Sequence, residues 1–100
     1  MIRNEDLRAQ IELEVRLALD SLQSSAEQVQ TAEEGLALAE NEVAQAQRRY
    51  SAGASPGIEV TEAQTRLERA RENRISALFG YNVARINLAV ATGTMRQLVQ

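Results

Sequence analysis

The sequence contains no cysteine, no histidine, a single proline and an aromatic content of only 3%, supplied by Tyr50, Phe79 and Tyr81. The absence of cysteine and histidine removes disulfides, thiolate nucleophiles, imidazole bases and nearly every zinc site at once. It leaves the redox compartment open, because a cysteine-free chain is at home anywhere. With so few aromatic anchors, a compact core is disfavoured and a thin, elongated interface is expected. No apolar run approaches the ~20 residues of a bilayer-spanning helix. Arg3, Asn4, Glu5 and Asp6 interrupt the N-terminus at once, unlike a signal peptide, so the reading expects a soluble segment that carries no address.

What the chain does have is a heptad rhythm. A small residue recurs every seventh position, as Ala18, Ser25, Ala32, Ala39 and Ala46, and a large one accompanies it, as Val15, Leu22, Val29, Leu36, Val43 and Tyr50. After an interruption from Gly53 to Gly57 the two series restart as Ala63, Ala70, Ala77, Ala84 and Ala91 against Val60, Leu67, Arg74, Tyr81 and Leu88. Alternating spacings of three and four keep one stripe facing a partner when helices supercoil, and alanine at half the positions lets the axes approach closely. The fold class this predicts is all-α: a long antiparallel two-helix coiled-coil hairpin, with helices over about 4–52 and 56–92, associating further into a helical bundle.

Charge supports a chain folded back on itself. Every cationic side chain is arginine; residues 1–47 carry ten acids and three arginines, and residues 48–100 carry four acids and eight arginines. A reversal near residue 54 brings Glu40 and Glu42 near the level of Arg66 and Arg69, and Glu33 and Glu34 near Arg74. Exposed pairs contribute about 0 to 1 kcal/mol each, so they select the antiparallel partner more than they stabilise it. A solvated charged face with no pairing role is the competing reading.

Between Asn4 and Ala52 there is no proline, and Gly35 is the only glycine among strong helix formers. Gly35 fits either a close backbone approach at the seam or a tolerated surface position. In the interruption, Gly53 suits the left-handed residue that ends a helix, Ser55 can cap the next helix, and Pro56 fits its first turn. A turn this short forces antiparallel neighbours. Gly93 reads as the terminator of the second helix and Thr94 to Gln100 as a frayed tail. Ile75, Phe79, Val83, Ile86 and Val90, with Ile11, Leu13, Leu17 and Leu19, widen the apolar surface at the end away from the turn. A two-helix hairpin cannot cover both flanks, so this end must meet another copy, another part of a longer protein or a membrane-proximal collar.

Little in the chain supports catalysis. Glu59 and Glu62 lie three apart on one helical face and could bind a cation or act as an acid and base, yet such pairs are usually solvated. A helical di-metal site needs histidines the chain lacks, and no glycine-rich loop follows a strand. Arg66, Arg69, Arg71 and Arg74 are interleaved with Glu68 and Glu72 in a chain of net charge −3, which argues against nucleic acid. No strongly cationic face stands opposite an apolar one, as a membrane-surface helix requires. No enzyme activity and no cofactor are expected.

The segments Arg49-Tyr50-Ser51-Ala52-Gly53 and Ile58-Glu59-Val60-Thr61-Glu62-Ala63-Gln64 carry a resemblance, together with the run from Ala32 to Glu40 before them and the run from Tyr81 to Gly93 after. The chain resembles the outer membrane efflux protein family, the TolC-like channels, over roughly residues 9–95. The likeness is to the periplasmic helical hairpin of the second of the family's two repeats; its β-barrel strands, other repeat and signal peptide are missing. The whole chain, residues 1–100, then reads as one hairpin from a larger channel protein.

The resemblance implies a trimeric α-helical tunnel joined to an outer membrane β-barrel, through which small molecules or proteins leave. It implies that Gly53, Ala54, Ser55, Pro56 and Gly57 form a tip contacting a periplasmic adaptor linked to an inner-membrane pump. Glu59 and Glu62 correspond to acidic residues that ring the constriction, where three copies would favour cations. Tyr50 corresponds to a tyrosine that hydrogen-bonds at the closed mouth, although Ser55 stands where its basic partner is expected. Tyr50 is equally the last large residue of the seam. Taken out of its tunnel, the chain is expected to self-associate, most simply as an antiparallel dimer of four helices. The alternative is a coiled-coil or adaptor-type hairpin with no channel role.

Overall fold

The computed structural model of the chain describes residues 4–99, with side-chain surroundings given through residue 97. Two helices account for almost all of them: α1 over Asn4–Ser51 and α2 over Ile58–Val99, joined by the turn 52–57. No strand occurs among the described residues. The molecule is a two-helix hairpin, as the paired heptads require.

By contacts the chain forms two compact units, Gln28–Leu78 and Met1–Glu27 with Phe79–Gln100. In the first, Ala39, Ala46 and Ala63 are buried, while Val29, Ala32, Leu36 and Val43 of α1 and Val60, Leu67, Ala70 and Ala77 of α2 are half-buried. These are the heptad positions read from the sequence. Glu42 meets Arg66 at 3.1 Å and Glu33 meets Arg74 at 3.6 Å, so two of the anticipated cross-helix pairs form. Their register sets small positions level with large ones: Val43 with Ala63, Ala39 with Leu67, Leu36 with Ala70. Arg74 occupies a large seam position, and its half-exposed side chain carries the charge out to Glu33.

In the second unit Ile11 and Ala84 are buried, and Leu7, Val15, Ala18, Leu22 and Ser25 share the seam with Tyr81, Leu88, Ala91 and Met95 as half-buried residues. Ile11 therefore belongs to the seam and not to the widened flank expected from the sequence. Leu13, Leu17, Leu19, Phe79, Val83, Ile86 and Val90 are exposed, as is Ile75 in the neighbouring unit.

The expected stop at Gly93 does not occur; α2 runs through it to Val99, and the anticipated frayed tail is helical through that residue. Gln100 lies outside the described residues. Gly93 does not take a positive φ, and Met95 continues the seam after Leu88 and Ala91, so packing offsets the roughly 1 kcal/mol that glycine costs a helix. The hydroxyl of Thr92 also donates to the Leu88 carbonyl at 2.9 Å and that of Thr94 to the Val90 carbonyl at 3.0 Å.

Gly35 proves to be a tolerated surface glycine. A Cβ built there meets nothing within 4 Å, and the residue is exposed in mid-helix. Gly35→Ala should stabilise the hairpin by about 1 kcal/mol, raising its thermal midpoint by roughly 4 to 8 °C in a far-UV circular dichroism melt. A lowered midpoint would mean the site is crowded.

Candidate functional site

The turn that joins the helices is built by one glycine and one tyrosine. Gly53 takes a φ of 75°, in the left-handed region where a side chain would be strained. Around it the amide of Ala54 donates to the Arg49 carbonyl at 2.8 Å and that of Gly53 to the Tyr50 carbonyl at 3.0 Å. This is a Schellman motif, which satisfies the carbonyls left open at the end of α1.

The start of α2 differs from the sequence expectation. Ser55 does not cap it: its buried Oγ has no hydrogen-bond partner. Gly57 takes that position, its carbonyl accepting from the amides of Val60 at 3.1 Å and Thr61 at 3.3 Å. Pro56 stands just outside the helix, its carbonyl accepting from the Glu59 amide at 3.2 Å. With Gly57 at the cap, Ser55 stands two residues before it, too far back for its Oγ to serve the open amides of α2's first turn.

Tyr50 closes the turn. It remains 56% exposed, yet its ring lies against Gly57, where a Cβ would stand 3.3 Å from the ring's Cε2. The glycine thus makes room for the tyrosine, a contact that sequence reasoning missed. Proximity in sequence alone offered no signal for it, because Pro56 and Gly57 read simply as turn residues.

Beside the turn an open cleft of about 320 Å³ is lined by Glu42, Arg49, Glu59, Glu62 and Arg66, with Gln45 and Ala46. Arg49 reaches across to Glu59 at 3.6 Å. This pair was also missed, although the register that pairs Glu42 with Arg66 places Arg49 and Glu59 opposite each other two turns nearer the tip. Glu62 is exposed and makes no ion pair among the described residues. The structure therefore brings Glu59, Glu62 and the turn residues 53–57 to one end of the unit, with Tyr50 across them. No cluster that could hold a metal ion occurs among the described residues.

A profile of the family described as outer membrane efflux protein matches residues 4–94. The chain belongs to that family. Searches of curated proteins and of solved structures return no match. Outer membrane efflux proteins are transport channels that generally assemble as trimers and work with adaptors and pumps. For this outer membrane efflux protein, no helix among the described residues is long and apolar enough to cross a membrane. The family match spans both helices and the turn, so the tip is a feature of the matched region and not an appendage to it.

Proposed function

We propose that this chain is the periplasmic hairpin of the second repeat in an outer membrane efflux channel, one hairpin of a larger polypeptide, forming part of the helical tunnel wall. The observation that carries the reading is the pattern on α2 within a chain whose family match covers residues 4–94. One stripe of α2, including Tyr81, Ala84, Leu88 and Ala91, is turned into the hairpin seam. A second, Phe79, Val83, Ile86 and Val90, is exposed at spacings of four, three and four. At 100° per residue the two stripes lie roughly 150° apart. A helix with seams on nearly opposite faces suits a wall in which every helix stands between two neighbours, and suits a free-standing hairpin poorly.

In this reading three subunits export small molecules or proteins through the tunnel. The turn Gly53, Ala54, Ser55, Pro56 and Gly57 meets a periplasmic adaptor coupled to an inner-membrane pump. Glu59 and Glu62 line the constriction, and the hydroxyl of Tyr50 hydrogen-bonds to a neighbouring subunit when the mouth is closed. The Schellman motif at Gly53 supports the adaptor role by giving the tip a fixed backbone shape that a partner can read.

Site-specific photocrosslinking tests it. With a photoreactive residue at Ala54 or Ser55 of the full-length polypeptide in the cell envelope, we expect an adduct with the adaptor. The same residue at exposed Thr31 should give none. Equal adducts at both positions, or none at the tip, would rule out an adaptor-contacting turn.

A further inference from the structure

The charges around the tip are not equivalent. Three carboxylates and two guanidinium groups line the cleft beside the turn. Arg66 stands 3.1 Å from Glu42, and Arg49 stands 3.6 Å from Glu59. Glu62 is left without an ion pair among the described residues. From this geometry we infer that Arg49 sets the selectivity of the channel mouth by cancelling the charge of Glu59 within each hairpin, so that Glu62 carries the charge the tip presents. This rests on the placement of the tip at the constriction proposed above.

Both ends of the Arg49–Glu59 pair are anchored by the turn itself. The Arg49 carbonyl accepts the Ala54 amide, and the Glu59 amide donates to the Pro56 carbonyl, so the two Cα atoms are held in place by the hydrogen bonds that build the tip. The pair need not be energetically strong to act. At 3.6 Å the opposite charges sit well inside the Debye length of about 8 to 10 Å, and an ion passing farther off feels their sum. Counting both glutamates as free charges therefore overstates the negative potential. With Arg49 present, one carboxylate per hairpin remains, and without it there are two.

Two measurements test this. Paramagnetic relaxation from cationic and anionic nitroxide cosolutes reports the local potential at each amide of the chain in solution. Arg49→Gln should make the potential at the amides of residues 59–62 more negative, whereas Arg96→Gln, which removes an equal charge elsewhere, should leave it unchanged. Glu59→Gln should make it less negative, because Arg49 then offsets Glu62. In the assembled full-length channel, bilayer reversal potentials should show Arg49→Gln raising the cation-over-anion permeability ratio, by roughly two- to threefold when three copies change together, and Glu62→Gln lowering it. An Arg49→Gln variant that folds, judged by unchanged helicity, and leaves the amide potential as in the parent overturns the cancellation directly. A changed potential with Glu59, Glu62 and Arg49 variants all silent in the bilayer overturns the selectivity role through the tip placement beneath it. Permeability that responds to both glutamate variants but not to Arg49→Gln removes Arg49 alone from the account.

Discussion

Ala63→Leu is expected to destabilise the hairpin by about 1 to 3 kcal/mol. Ala63 is 1% exposed, the most enclosed of the buried apolar residues. The register fixed by the Glu42–Arg66 pair sets it level with Val43. Both helices are already in contact at that layer, so a larger side chain has no void to fill. It must adopt a poor rotamer or push the axes apart, and parting the axes also loosens the neighbouring layers of Ala46 with Val60 and Ala39 with Leu67. The thermal midpoint should fall by roughly 4 to 8 °C for each kcal/mol lost. Ala37→Leu supplies the control, since Ala37 is exposed on α1 and leucine is nearly as good a helix former as alanine. If the two variants melt together, the alanine positions are not what limits the approach of the helices.

That layer was legible in the sequence because a seam imposes a period, and a period survives without knowledge of the partner. Leu22, Leu36, Ala39, Ala46, Ala63 and Ala84 all fall where the spacing of three and four places them. The turn was legible only in part. Gly53 declared itself because one residue type dominates the left-handed position. Ser55 and Pro56 did not, because glycine can also stand at a helix start, and a cap at Gly57 leaves both residues outside α2. Gly93 misled for a related reason: a glycine's local preference for ending a helix is worth about 1 kcal/mol, and continued seam packing at Met95 exceeds it. At the tip, Glu59 and Glu62 could be named from the chain, but their inequality could not. It depends on which arginine the folded turn brings alongside, and Arg49 lies on the other helix.

The exposed stripe on α2 leads to the second large effect. The isolated chain should be a dimer at micromolar concentration, and Phe79→Asp combined with Ile86→Asp should leave it a monomer. Phe79 is 71% exposed and Ile86 63%, values at which side chains of this size gain greatly from a partner. The stripe is also self-complementary. Turned antiparallel on a copy of itself about a point between Ala84 and Arg85, it sets Phe79 against Val90 of the partner and Val83 against Ile86. The flanking residues Gly80, Asn82, Asn87 and Ala89 fall opposite one another in the same way and carry no charge, so these flanking positions set no like charges together. In a symmetric dimer each substitution counts twice. At about 1.5 kcal/mol or more per buried side chain, four lost contacts raise the dissociation constant by at least roughly 10⁴-fold. Leu38→Asp is the control, an exposed leucine on α1 that does not belong to the stripe. Sedimentation velocity distinguishes the outcomes: a monomeric parent chain, or a double variant that sediments like the parent, would show that this face does not mediate pairing. In the tunnel the same face would be occupied by a neighbouring helix of the channel, so the surface that makes the isolated hairpin pair is the one that would make the assembled wall continuous.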